Sequence, residues 1–249
     1  MPSTTDEDDD EEKMEDLKLV REFAVYLNCL IGSHTRSHAE AGNFSMLRMV
    51  VIRIIVVCVF MLLSGCATYQ PRNPDNICHI FFGETDWYEA TRDAQRQWGT
   101  PMYVMMAIMH QESRFVDDAQ PARPWFLGLI PLPRDSSAYG YAQAQDPVWE
   151  EYMKHRGNSG ADRDNFEDAI DFIGWYTHGT QTRLKISKWD AYGQYLAYHE
   201  GRGGYERKTY QGKPWLKKVA KKVKRRALRY NQQLKICQAE LDDEVDGWF

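Results

Sequence analysis

The chain has 249 residues, with 31 Lys and Arg against 36 Asp and Glu for a formal net charge of -5, a length that fits one or two domains. Hydrophobic residues at 43% and aromatics at 13% exclude a wholly disordered, collagen-like or low-complexity protein. Only one segment is continuously apolar, which excludes a multi-span membrane protein. The charge is uneven: residues 1–45 hold 4 basic and 11 acidic side chains, while residues 66–249 hold 25 of each, so the acidity belongs to the front end.

That front end contains the acidic stretch DEDDDEE and an amphipathic piece near residues 17–30. From Met46 the chain then reads MLRMVVIRIIVVCVFMLLSGCATYQ: two arginines, an apolar run over residues 54–63, and Leu63-Ser64-Gly65-Cys66. An apolar core of about 10 residues is too short for a free-standing transmembrane helix, which needs roughly 20. The charged, apolar and small-residue parts follow each other as in a secretory signal peptide. The segment 46–65 resembles a bacterial lipoprotein signal with a lipobox. The resemblance implies that Cys66 is acylated and becomes the first mature residue, and Ala67 after it points to the outer membrane, facing the periplasm. Residues 1–45 precede this signal, although such signals are N-terminal; a translation start at Met46 or Met49 would make them a misassigned leader.

Residues 66–76 are polar with two prolines and read as a tether; a domain spans 77–249. Its elements are mostly helical. Residues 87–98 form a first helix, ended by Gly99. Thr100 is a good N-cap, and Pro101 at the first helical position opens a second helix to about residue 114. Asp146-Pro147 opens a third, which stops at Gly157. Asp164 with Glu167 resembles a capping box for a longer helix with Phe166, Ala169, Ile170 and Ile173 on one face. Another runs over 187–200 and stops at Gly201. The last starts near Pro214 and carries Leu216, Val219, Val223, Ala227, Tyr230, Leu234, Cys237 and Leu241 in a 3–4 spacing.

Two cysteines lie at the ends of the domain, Cys78 and Cys237. In an oxidising compartment they make a plausible disulfide worth on the order of 4 kcal/mol; two buried thiols are the alternative. No Cys/His spacing suggests a metal. Residues 202–229 hold 12 basic residues and one acidic, Glu206. Such a strip suits anionic lipid, anionic glycan or plain solvent. An exported protein meets little nucleic acid, so none is expected as a partner.

The second helix holds the most informative residue. Pro101, Val104, Met105, Ile108, Met109 and Glu112 lie at helical spacing, which puts Glu112 on an apolar stripe. Burying a carboxylate without a cationic partner raises its pKa, which suits a group that must donate a proton near neutral pH. A structural Glu112 paired with Arg114 or another cation is the alternative.

The surrounding residues weigh on that choice. Glu112-Ser113-x-Phe115, then Gly140-Tyr141-Ala142-Gln143, then Ala197-Tyr198-His199-Glu200-Gly201 resemble, in order, the three signatures of lytic transglycosylases of the soluble-lytic-transglycosylase (SLT) type. The likeness covers about residues 86–205. It implies a mainly α fold, lysozyme-like in the manner of goose-type lysozyme, with a substrate cleft. It also implies cleavage of the MurNAc–GlcNAc β-1,4 bond of peptidoglycan without water, leaving a 1,6-anhydromuramoyl end, and no cofactor.

Carried over by position, Glu112 is the single acid and base. Ser113 orients substrate or Glu112, while Tyr141, Gln143 and His199 belong to the substrate-binding wall. Tyr198 is expected close to Glu112, hydrogen-bonded to it or to sugar. A lone carboxylate suffices because the muramoyl C6 hydroxyl attacks the anomeric carbon in place of water, whereas ordinary glycosidases use two carboxylates. Three departures stand out. Tyr141 and Ala142 replace Leu and Met, and His199 replaces Asn; its titration would give activity a pH dependence. The segment 119–137 is about a dozen residues longer than the family's usual connection and is apolar for a loop. Two other readings compete: a hydrolysing muramidase with Asp117, Asp118 or Glu200 holding water, and an inactive peptidoglycan-binding envelope lipoprotein.

Overall fold

The computed structural model describes residues 51–54, 69–126 and 130–247. The leader 1–45, the lipobox cysteine Cys66 and all of the signal 46–65 except 51–54, which are helical, lie outside the described residues. Residues 67–249 form one unit that contains the whole described core.

Among the described residues seven α-helices build this unit: α1 (Ile77–Gly83), α2 (Thr85–Trp98), α3 (Met102–Glu112), α4 (Asp146–Arg156), α5 (Phe166–Leu184), α6 (Ala191–Glu206) and α7 (Pro214–Asp246). A short antiparallel hairpin, β1 (Trp125–Phe126) with β2 (Ile130–Pro131), pairs Phe126 with Ile130 inside the long 119–137 connection. The mainly helical, lysozyme-like expectation therefore holds, and the extra connection carries a hairpin of its own.

α3 is the centre. Met102 and every residue of 104–110 are buried, because α2, α5, α6 and α7 all pack against it. The apolar stripe read from the sequence was narrower than the real one, since a helix buried on every side needs apolar residues all round. Each such side chain contributes roughly 1.5–3 kcal/mol by leaving water. Trp87 of α2 joins the layers: its ring stacks on Phe166 at 3.9 Å between centroids and meets Tyr69 and Tyr141 edge-on.

Several local expectations change. Thr100 does not cap α3; it is buried, its hydroxyl pairs with that of Thr177 at 2.8 Å, and the Gln95 side chain accepts from the Met102 amide instead. Asn165, not Asp164, caps α5 by accepting from the Asp168 amide. α6 continues past Gly201 through a kink at that residue, where φ 73 and ψ 155 are not helical.

The largest correction concerns the tether. Asn76 caps α1, a helix absent from the sequence reading, by accepting from the Cys78 and His79 amides. The Tyr69 hydroxyl donates to the Ile80 carbonyl at 3.2 Å, and the Gln70 amide donates to the Arg114 carbonyl at 3.1 Å. Asp75 pairs with Arg226 and Arg229, and the Tyr230 hydroxyl donates to the Pro74 carbonyl. Residues 69–76 are thus docked on the domain rather than free. Cys78 and Cys237 form the disulfide, with 6.1 Å between their Cα atoms and 159 residues between them in sequence.

Candidate active site

Glu112 is the last residue of α3, and its neighbours explain why it stops there. Arg114 and Phe115 both take positive φ, 56 and 66, a conformation uncommon for side chains with a Cβ. Two things hold this turn. Phe115 is fully buried beside Trp87 and His110, and the Ser113 hydroxyl accepts from the Phe115 amide at 3.1 Å. Ser113 is itself buried, and its hydroxyl is directed to the backbone of the turn. It serves the path of the chain around Glu112 and is not part of the cleft wall.

The cleft is a cavity of about 410 Å³ whose wall includes Glu112, Gln143, Phe172, Tyr176, Tyr198 and His199. Its second wall is the turn of residues 139–144, closed by a bridge between Tyr139 and Ala144. Gly140 has φ 74 there, and a Cβ would meet the Arg163 carbonyl oxygen at 2.0 Å, so glycine is required. Gln143 has φ 50, and its amide nitrogen donates to the carbonyls of Ala119 and Gly140 at 2.7 and 2.9 Å. The Arg163 guanidinium clamps the same turn through the Ser137 and Ala144 carbonyls. Tyr141 does not reach the cleft. It is 1% exposed and packs on Trp87 and Phe166, so the expected substrate contact is replaced by a core one. The turn's geometry sends its side chain inward while neighbouring Gln143 faces the cleft.

The third wall is α6. The Tyr198 hydroxyl donates to the Ala142 carbonyl at 2.6 Å, tying this helix to the turn. Its hydroxyl is thus committed elsewhere than to Glu112, although burial first and then the nearby Glu112 carboxylate disfavour its ionisation. The tyrosine near enough to favour the ionised form of Glu112 is Tyr195, three positions earlier on the same helix face. The sequence reading missed it, as it missed Phe172 and Tyr176 of α5. The i, i+3 spacing from Tyr198 was the available signal.

The electrostatics single out one carboxyl. Part of Glu112 reaches the cleft, yet its Oε1 is buried without a hydrogen-bond partner. Burial pushes its pKa from 4.5 up to about 7, with hydrogen bonding from Tyr195 pulling the other way. Among the described residues no cation pairs with it, and the ion-paired alternative finds no partner there. A carboxyl that is half protonated near neutral pH can both give and take a proton.

Glu200 is the opposite case. Burial opposes its ionisation, but hydrogen bonds from Lys213, Thr209 and His199 outweigh that and hold its pKa below the usual range. Lys213 Nζ stands 2.7 Å and His199 Nδ1 3.3 Å from its Oε1, and the Thr209 hydroxyl donates to Oε2. The His199 ring meets Trp215 edge-on at 5.2 Å. His199 thus sits in the wall with two partners of its own.

Among the described residues no group of His, Cys, Asp and Glu is arranged to hold a metal ion. Compared with curated proteins, the chain finds no match. The family described as the transglycosylase SLT domain matches residues 54–237, a span that takes in the three motifs and every wall of the cleft. With nearly three quarters of its length matched, the chain belongs to the transglycosylase SLT domain family, and its function is a peptidoglycan-directed one of the lytic transglycosylase type.

Proposed function

We propose that this protein cleaves the MurNAc–GlcNAc β-1,4 bond of peptidoglycan and leaves 1,6-anhydromuramoyl ends, with Glu112 as the only acid and base. The observation that carries the reading is a buried carboxyl without a cationic partner, raised to about 7, in the wall of the cleft. In its neutral form Glu112 protonates the leaving glycosidic oxygen. The resulting carboxylate then takes the proton of the muramoyl C6 hydroxyl as that oxygen bonds to the anomeric carbon. The proton count closes: the donated proton stays on the released hydroxyl, and Glu112 ends neutral again, ready for the next substrate. Tyr195 steadies the ionised form through its hydroxyl. The resemblance of residues 46–65 to a lipoprotein signal, separate from the family match, supports a protein acylated at Cys66 and held at the outer membrane, facing the periplasm.

A hydrolysing muramidase needs a second carboxylate to hold water. Glu200 lines the cleft, but both of its oxygens are taken and its side chain is 3% exposed; Asp117 and Asp118 are absent from the wall. Among the described residues lining the cleft, Glu112 alone offers a carboxyl not already taken by other groups, which favours the intramolecular nucleophile. Mass spectrometry of muropeptides released from purified sacculi tests this, with Glu112→Gln beside the wild type. Anhydromuropeptides from the wild type alone support the reading. Reducing ends in their place, or equal release by both proteins, would overturn it.

A further inference from the structure

The outward face of α7 is basic over most of its length, and acidic residues return only from Glu240 onward. From Pro214 to Lys235 the helix contains no acidic residue. Its buried side, Leu216 through Leu241, packs on the core. On the opposite side Lys218, Lys221, Lys222 and Arg225 make no ion pair with any described residue. Two aliphatic side chains share that side: Leu228, 53% exposed, and Ile236, 84% exposed. Lys218 and Ile236 are 18 residues apart, five full turns, so they lie on one line along the helix.

We propose that this face docks on an anionic phospholipid surface. Basic side chains close to such a surface gain Coulomb attraction, and aliphatic side chains beside them enter the headgroup boundary. A glycan strand offers sugar faces that suit flat aromatic rings; the exposed ring of this helix, Trp215, sits at its start against His199 of the cleft wall, whereas the apolar side chains farther along the face, Leu228 and Ile236, are aliphatic. The path of the chain agrees. The segment leading back to Cys66 is fastened to this same helix by Asp75 on Arg226 and Arg229, by Pro74 on Tyr230, by Ile77 on Gln233, and by the disulfide. Cys66 precedes Asp75 by nine residues, a reach of at most about 32 Å, whereas the 33 residues of α7 extend about 50 Å. The argument from the tether rests on the acylation of Cys66 proposed above; the argument from the face does not.

The test uses residues 67–249, which carry their own core and no acyl chain, sedimented with vesicles of phosphatidylcholine or of phosphatidylcholine with phosphatidylglycerol. Binding to the anionic vesicles alone, weakening as salt rises, is expected. Each basic residue near such a surface contributes roughly a fivefold factor, so joint reversal of Lys218, Lys222 and Arg225 to Glu lowers the affinity by roughly a hundredfold or more. The same three changed to Gln give a milder loss, and Ile236→Ser weakens binding while keeping its salt dependence. An unchanged thermal melt shows that each variant is folded. Equal binding to both vesicles, or indifference to charge reversal, overturns the proposal. So does a triple variant that loses sacculi and keeps vesicles, which would make the wall the occupant. Metabolic labelling with palmitate tests Cys66 separately: an unlabelled protein whose α7 face still binds vesicles supports the docking face and removes only the anchor.

Discussion

Replacing Glu112 by Gln separates the two consequences of burying one carboxyl. Because its pKa is raised, the folded chain keeps a proton that the unfolded chain loses between pH 4.5 and about 7. Stability is therefore complete below pH 4.5 and falls as pH rises through that window. The displacement from 4.5 to about 7 corresponds to about 3 kcal/mol. Gln cannot ionise, so the variant escapes this loss. At about 2–4 °C per kcal/mol for a domain of this size, Glu112→Gln should melt up to roughly 6–12 °C higher than the wild type at pH 8, less what an imperfectly bonded amide takes back. At pH 4.5 the two should melt together. Activity should fall by about 10²–10⁴, the usual share of general acid–base catalysis. Differential scanning calorimetry at the two pH values and muropeptide release measure both. A variant that keeps wild-type activity, or whose melting gap is the same at both pH values, would refute the reasoning.

Tyr195→Phe removes the group that favours the ionised form of Glu112, so the pH profile of kcat/KM should move to higher pH; an unmoved profile would show that Tyr195 does not act on the carboxyl. Gly140→Ala places a Cβ against the Arg163 carbonyl at positive φ and should cost at least about 2 kcal/mol, read as a lower Tm together with reduced muropeptide release. Cys78→Ser opens the covalent link between α1 and α7 and should destabilise by on the order of 4 kcal/mol, seen as an earlier urea midpoint. Reducing agent should reproduce that shift in the wild type and leave the variant unaffected.

Glu112 was legible because a helix repeats every 3.6 residues, and that period alone put it in line with Met105, Ile108 and Met109. The starts and stops at Gly99, Asp146-Pro147, Gly157 and Pro214 were legible for similar local reasons, since each acts through its own backbone. Capping was less so: Thr100 and Asp164 have suitable side chains, but Thr177 and Asn165 decided where the bonds went. The disulfide was left open by sequence, as two thiols 159 residues apart can meet only if the fold brings α1 onto α7.

The family motifs told which short segments matter and not which way each side chain turns. Ser113 went to the turn, Tyr141 to the core and Tyr198 to the Ala142 carbonyl, while Tyr195 took the place beside Glu112. The polar stretch before α1 looked like a loose tether because its partners, Arg226, Arg229, Tyr230 and Gln233, stand about 150 residues away. By itself, then, the sequence determined most of the helices, the catalytic candidate and the order of the motifs, all of which depend on residues a few positions apart. Only the tertiary structure decided the charge state of Glu112, the company it keeps and the face that α7 turns to solvent. Burial and hydrogen bonding are set by groups that approach across the fold, and no local spacing encodes them.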